Sequence, residues 1–310
     1  MDSKHSISVI IPCYNQSEYL PKAIESVLEQ NYPFIEIIVI DDGSLDDTPK
    51  VAKSYPEIKY VYQENRGLAA ARNTGINNAT GNYLVFLDAD DWLLPGGLQT
   101  NVEYLISNPL FAFVSGGHMF YFEDGSNPQY RQRTISEKNY MRLLEHNYIA
   151  MIATVLFQRW VFDSFLYDTT LPVCEDYDLY LKIARLYPIM QHPSLIAVYR
   201  IHSSNMSANN KLMLTTVLSI LSKQKSLLRG KEEKEYFLKG LAFWKNYYGR
   251  LIYIKLLQQL SNGLRNLNKT DIVFLKLNCR SWYYKFIIQY TKKVIRQGLK
   301  VFKSEVKPLY

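Results

Sequence analysis

Tyr83-Leu84-Val85-Phe86-Leu87-Asp88-Ala89-Asp90-Asp91 runs an apolar segment straight into three carboxylates. The segment from Tyr83 to Leu87 reads as a buried strand. A parallel strand ends at the edge of the sheet where ligands bind. In extended backbone Asp88 and Asp90, two residues apart, point to one side. Paired carboxylates repel unless a cation sits between them, and hard oxygen donors favour Mg²⁺ or Mn²⁺. Such ions often bridge to substrate phosphates. The stretch therefore predicts an enzyme that holds a phosphorylated donor through a divalent metal.

Working outward, Ser6–Ile11, Ile35–Ile40 and Ile58–Tyr62 carry the β-branched content of strands. Between them, Glu18–Gln30 places Leu20, Ile24, Val27 and Leu28 at helical spacing, with Asn15 or Ser17 available as its N-cap. Helical patterns also cover Asp46–Ser54 and Leu68–Ala79. This β-α alternation predicts an α/β fold with a mostly parallel sheet wrapped by helices. Beyond Asp91 the pattern is mixed. Phe111–Phe122 contains a Gly-Gly break, Asp176–Leu186 is helical, and Leu195–Tyr199 reads as a short strand. From Asn209 onward nearly everything is helix-patterned. We therefore expect a catalytic domain over 1–208 and a basic helical region over 209–310. Gly75 and Gly81 read as turn or cap glycines.

Bulk properties narrow the function classes. Of 310 residues, 47% are hydrophobic, enough for one large domain and an appendage. Three cysteines without a CxxC pair argue against a disulfide framework or a zinc site. Met1–Ser6 is polar, with no apolar signal core. No run approaches the ~20 apolar residues that span a bilayer. A cytoplasmic protein, soluble or peripheral on the inner face of the plasma membrane, is the expectation. Net charge is split: 15 Lys and Arg oppose 24 Asp and Glu over 1–210, whereas 21 oppose 5 over 211–310.

Four stations read as one site: Pro12-Cys13-Tyr14-Asn15, Asp41-Asp42-Gly43-Ser44, the Asp88–Asp91 cluster, and Glu175-Asp176 at a helix start. The second is also an ordinary turn composition, and the fourth also suits a helix N-terminus electrostatically. His5, His118, His146 and His192 show no mutual ligand spacing. Cys13 and Cys174 flank the predicted site, and no neighbouring His supports a nucleophile, so packing is their expected role.

V-I-I-P-C-Y-N, V-I-D-D-G-S-L-D-D-T, N-R-G-L-A-A-A-R-N-T-G, Y-L-V-F-L-D-A-D-D and C-E-D-Y-D-L, in this order, resemble the signatures of glycosyltransferase family 2 across about Ser6–Ser207. The resemblance implies a GT-A fold and transfer from a nucleotide sugar, most simply a UDP-sugar. It implies that Pro12 and Tyr14 pack on the nucleobase and ribose, and that Asp42 bonds the uracil. Asp88 and Asp90 match the metal motif, with Asp90 the direct ligand to Mn²⁺ or Mg²⁺. Arg66 or Arg72 meets donor phosphate or sugar. Asp176 matches the general base, and Glu175 orients it or the acceptor. His202, in Tyr199-Arg200-Ile201-His202, approaches the diphosphate and metal. Asp91 is an additional acid without a carried-over role.

Elementary chemistry agrees. A divalent ion stabilises a departing diphosphate, so no protein acid is needed, and one carboxylate suffices to take the acceptor proton. One base opposite the leaving group predicts inversion. The expected acceptor is a growing glycan or a polyprenyl-linked saccharide in surface-polysaccharide biosynthesis. Two alternatives use the same residues: a metal-dependent phosphohydrolase or nucleotidyltransferase, and a non-catalytic nucleotide-sugar-binding scaffold.

Trp282–Phe302 is amphipathic. Tyr283, Phe286, Ile287, Tyr290, Val294 and Val301 share one face, and Lys285, Lys292, Lys293, Arg296, Lys300 and Lys303 the other. An anionic membrane surface is the expected partner of 280–310, with Trp282 at headgroup level. Packing on the domain, or on a second copy as a homodimer, is the alternative. No nucleic-acid-binding motif accompanies the charge, so nucleic acid is not an expected partner.

Overall fold

A computed structural model describes residues 5–202, 205 and 208–305, with side chains described up to residue 295 except at 265. The chain divides into two compact units, Met1–Met206 and Ser207–Tyr310.

The first unit opens with β1 (Ile7–Cys13), α1 (Leu20–Leu28), β2 (Ile35–Asp41), α2 (Thr48–Lys53), β3 (Ile58–Tyr62), α3 (Leu68–Asn78) and β4 (Tyr83–Phe86). All seven β1 residues are buried, as expected of a central parallel strand covered on both faces. The chain continues through β5 (Trp92–Leu93), α4 (Gly97–Ser107), β6 (Phe113–Phe122), β7 (Gln129–Arg131), α5 (Asn139–Glu145), β8 (Val155–Gln158), α6 (Glu175–Leu186) and β9 (Ile189–Ile201). The strands form one mixed sheet in the order β3-β2-β1-β4-β8-β6-β9-β5, with β7 on β6. Strands β1, β2, β3 and β4 pair parallel. The chain builds outward from β1 to β3 and then returns to place β4 on the other side of β1. That reversal opens a crevice at the carboxyl ends of β1 and β4, the usual ligand position in such sheets.

Three details differ from the sequence expectations. First, α1 starts at Leu20 with Tyr19 before it and no side-chain cap. Asn15 and Ser17 are used elsewhere, as described below. Second, β9 extends from Ile189 through Pro193 to Ile201. Its register against β6 shifts at Gly116-Gly117, so the apparent glycine break is a bulge that absorbs the irregular segment. Third, Gly75 is neither turn nor cap. It lies inside α3, and a Cβ there would come within 2.2 Å of Ile10 Cγ2. The missing side chain lets α3 lie close on β1, which sets the depth of Arg72 three residues earlier. Gly81 likewise faces Ser8, whose backbone N a Cβ would meet at 2.6 Å.

The second unit holds α7 (Asn210–Gln224), α8 (Gly230–Ser261), α9 (Lys269–Asn278) and α10 (Arg280–Glu305). Asn209 and Asn268 cap α7 and α9 by accepting backbone N–H bonds. Leu214, Val217, Ile220, Leu221, Phe237, Trp244, Ile252, Leu256, Leu275 and Phe286 are buried in it. Buried Asp271 ties three of the helices together, with Lys211 Nζ at 2.6 Å and Lys255 Nζ at 3.6 Å. Gly249 on α8 makes room for Trp282 and Cys279. Among the described residues, no helix is long and apolar enough to cross a membrane.

Candidate active site

The first two stations form one stitched edge. Asp42 N donates to Cys13 O at 2.9 Å, extending the β1–β2 ladder past its strands. Asn15 sits at φ 53°, in the left-handed region. There its Oδ1 accepts Leu45 N at 2.7 Å, while its own N donates to Ser44 Oγ at 3.0 Å. Ser17 N donates to Asp46 Oδ2 at 2.9 Å. These ties explain why neither residue caps α1. Pro12 is buried in β1, and Tyr14 beyond it leaves 47% of its surface exposed. Cys13 O accepts a bond from the β2 side, so alternation turns the Pro12 nitrogen toward β4, past the last β4 pair at Ile10–Phe86. A proline is tolerated there because no ladder bond is lost. Burial pushes the Cys13 thiol up to about 12, which keeps it a packing group.

Asp42 is buried and organises the loop that follows β3. Its Oδ1 accepts from Gln63 Nε2 at 2.6 Å and Arg66 N at 2.9 Å, and its Oδ2 accepts Gly67 N at 2.8 Å. Arg66 is exposed, with Nη2 donating to Gln63 Oε1 at 3.0 Å. Asp41, one residue earlier, holds Ser44 N and the Tyr60 hydroxyl.

The Asp88–Asp91 segment is a turn, not an extended strand: Asp91 N donates to Asp88 O at 3.0 Å. The alternation argument for Asp88 and Asp90 therefore does not hold, and the two carboxylates find different partners. Asp88 Oδ1 accepts Arg72 Nη2 at 2.7 Å, and Asp88 keeps 29% of its side chain open. Asp90 Oδ2 lies 2.9 Å from His202 Nε2, both side chains being largely buried. Burial and then Asp88 push the Asp90 carboxyl above its ordinary range, and His202 works against them. Asp91 points inward, and its Oδ1 accepts Arg200 N at 2.9 Å. Burial, with Asp90 and Asp88 beside it, raises the Asp91 carboxyl well above the carboxylate range. Asp91 is thus a pin between the turn and β9.

Arg72 points inward. Its two terminal nitrogens bond Asp88 and Glu175, and the Tyr167 ring lies 5.4 Å from its guanidinium. Burial opposes its charge, but Asp88 and Glu175 outweigh that and hold it protonated well above its ordinary value. Glu175 opens α6, after Cys174 at φ 61°. Asp176 is half-buried, with Oδ1 accepting Tyr177 N at 2.7 Å. Burial, reinforced by Glu175 and partly offset by Arg72, raises Asp176 to about 7. A carboxylate poised near neutrality suits a general base.

Arg200 has a larger part than its sequence context indicated. Its Nε donates to Asp90 O at 2.9 Å, and its guanidinium lies 4.9 Å from the Tyr19 and Trp92 rings. Three aromatic side chains from separate segments, with Tyr121 the third, surround it. Only contacts distant in sequence define this box, so no local pattern announces it. His118 and His192 are buried and lowered to about 4 by that burial, His192 bonding Asn101 at 2.7 Å.

The geometry thus joins Asp88 to Glu175 through Arg72 and Asp90 to His202, all in the first unit. Among the described residues no three His, Cys, Asp or Glu side chains form a metal cage by themselves.

A family model described as glycosyl transferase family 2 matches residues 8–165. An uncharacterised glycosyltransferase of Rickettsia typhi is 31% identical over 262 residues, covering 78% of this chain and 81% of the relative. The glycosyltransferase GlyA of Streptococcus pneumoniae is 42% identical over 127 residues, 37% of this chain. This chain spans only 18% of GlyA and 34% of a Rickettsia conorii relative that is 35% identical. Among solved structures, S. aureus TarS with UDP-GlcNAc superposes with a TM-score of 0.64 at 16% identity, covering 94% of this chain and 92% of that one. The mannosyltransferase PcManGT from Pyrobaculum calidifontis, with GDP-Man and Mn²⁺, gives 0.60 at 19% identity, covering 94% and 86%. At such identities the likeness is one of fold, and that fold is GT-A. With the matched model covering half of the chain and the Rickettsia typhi relative most of it, the chain belongs to glycosyltransferase family 2.

Proposed function

We propose that this chain is a metal-dependent, inverting glycosyltransferase whose catalytic domain is the first unit. The donor is a nucleotide sugar of the UDP type. The acceptor is a hydroxyl of a growing glycan or polyprenyl-linked saccharide, as in surface-polysaccharide assembly. The observation that carries the reading is the Arg72 bridge. One buried guanidinium holds both Asp88, in the turn after β4, and Glu175, the neighbour of Asp176. The donor end and the base end of the site are thereby built as one unit.

Asp90 Oδ2 supplies the carboxylate oxygen that suits Mn²⁺ or Mg²⁺, with His202 Nε2 2.9 Å from it. Asp88 stands beside them, and donor diphosphate oxygens and water would complete the shell, as is usual for such ions. The bound ion supplies Lewis-acid stabilisation of the departing diphosphate. Tyr14 offers an exposed ring to the base and ribose above the Pro12 floor. Asp42 already accepts three bonds, which leaves about one lone-pair position for a uracil N–H. Arg66, exposed at the rim, meets donor phosphate by exchanging its bond to Gln63. Asp176 takes the acceptor proton as the hydroxyl attacks opposite the leaving group, with Glu175 fixed beside it.

The deciding experiment incubates the protein with UDP- and GDP-sugars, since the two solved structures of similar fold hold one of each, and identifies the product. Release of nucleoside diphosphate is expected. Release of phosphate or pyrophosphate would instead assign a hydrolase or nucleotidyltransferase. Binding isolates the metal pair: Asp90→Ala is expected to abolish the Mn²⁺-dependent part of UDP affinity measured by calorimetry. Metal-independent affinity, unchanged in Asp90→Ala, would refute that assignment.

Arg200→Gln tests the support of the turn. It removes the anchor on Asp90 O and the cation between Tyr19 and Trp92. Loss of such an outer partner typically costs about 10- to 100-fold in metal affinity, and the same is expected for Mn²⁺-dependent UDP binding here. Unchanged affinity would make Arg200 a fold-only residue.

A further inference from the structure

Most of the described face of α10 expected to meet a membrane is already occupied, although Val294 is exposed. Phe286 is fully buried, and Tyr283, Ile287 and Tyr290 are half-buried within the helical unit. Trp282 Nε1 donates to Asn246 Oδ1 at 3.0 Å, and its ring lies 5.2 Å from Tyr253, so Trp282 packs against α8. Lys293 Nζ reaches back to Leu260 O and Ser261 O, capping the end of α8. Val301, Arg296, Lys300 and Lys303 lie outside the described side chains.

The opposite face is open. Tyr284 is 62% exposed, Ile288 54% and Ile295 56%, at helical spacings of four and seven residues. Lys285 and Lys292 flank this stripe and are exposed. On α9, Val273 and Leu277 are exposed as well, between Lys269, Lys276 and Arg280. From Ile272 to Ser304 the sequence has eight Lys and Arg and no Asp or Glu.

We propose that the outward stripe Tyr284–Ile288–Ile295 of α10, with its flanking lysines, docks the protein on an anionic lipid bilayer. Exposed aliphatic side chains set among cations, with no acid for over thirty residues, match an interface that is apolar below and negative at its surface. A second copy of the chain fits less well, because a self-complementary contact would press like charges together. A nucleic acid would gain nothing from exposed Ile, Leu and Val. Such docking is in the plane of the surface, as suits a chain in which no helix among the described residues is long and apolar enough to cross a bilayer.

The test is flotation of the full chain with phosphatidylcholine vesicles with and without phosphatidylglycerol; it involves no sugar donor and stands apart from the transferase reading. Binding is expected only with phosphatidylglycerol, weakening as salt rises from about 0.1 to about 0.5 M. Ile288→Asp is expected to weaken it about tenfold or more by removing an inserted aliphatic group and adding an anion. Lys276→Gln/Lys292→Gln, which leaves the apolar stripe intact, is expected to lower it by a similar factor. All three positions are exposed, and unchanged thermal melting shows that the fold is retained. No flotation with the anionic vesicles would overturn the proposal, as would flotation that both variants leave unchanged. Concentration-dependent self-association abolished by Ile288→Asp would assign the stripe to a second copy and overturn it equally.

Discussion

Asp176→Asn is expected to cut sugar transfer by about 10²- to 10⁴-fold, the usual contribution of a positioned base, while nucleotide affinity stays near normal. The amide keeps the size of the carboxylate but accepts no proton at neutral pH. Two pH measurements separate this role from a structural one. In the parent protein the rate should fall as pH drops through about 7, where burial and Glu175 place the Asp176 carboxyl. The residual activity of the variant should lose that limb. Stability carries the same signature with the opposite consequence. The folded chain binds this proton more tightly than the unfolded chain does, so ionised Asp176 destabilises the fold. That cost is absent below the ordinary carboxylate range and complete above about pH 7. Asp176→Asn should therefore raise the melting temperature at pH 8 and lose this advantage toward pH 4. Near-normal turnover in the variant would move the base to Glu175.

Arg72→Met is expected to destabilise the first unit by about 3–5 kcal/mol, the cost of stripping one partner from a buried ion pair. Arg72 and Glu175 are 3% and 6% exposed, so Glu175 would be left charged without a partner or solvent. Asp88 would lose its ion-pair partner and turn to its open side. Denaturant unfolding measures the loss. The double variant Arg72→Met/Glu175→Gln should recover a good part of it, because an unpaired buried charge costs more than a neutral amide. Recovery of stability without recovery of transfer is the expected pair of results, since the bridge between Asp88 and Glu175 stays broken. A stability loss below about 1 kcal/mol would place the ion pair in the class of solvent-screened surface bridges and remove it from the architecture of the site.

Much of this protein is legible from its residues in order. The strands β1, β2 and β4 announce themselves because a parallel sheet covered on both faces needs unbroken apolar runs, whereas the edge strand Ile58–Tyr62, none of whose residues is buried, follows from its β-branched and aromatic content. The carboxylates Asp42, Asp88, Asp90 and Asp176 stand out because they sit where strands end or a helix begins, next to apolar sequence. The helices from Asn210 onward follow from their periodicity, and the break at Ser261–Gly263 falls where the turn residues place it.

What the chain order does not contain is partnership across distance. Asp88 and Asp90 looked like one pair of ligands; the turn at Asp91 sends one to Arg72 and the other to His202, 112 residues away. The resemblance implies that Arg66 or Arg72 meets donor phosphate or sugar, but it does not say that Gly75 seats α3 close on β1 and that Arg72 is buried between two acids. Gly116-Gly117 looked like a break until β9 gave it a strand to bulge against. The amphipathic face of α10 is real, but amphipathicity gives only a direction. The apolar side meets α8 and α9, and the side left open carries Tyr284, Ile288 and Ile295. Periodicity and composition are properties of neighbours along the chain, so they determine the elements and the kinds of chemistry available. Burial and charge pairing are properties of neighbours in space, so only the tertiary structure decides which acid is held, which is poised, and which face of a helix remains open.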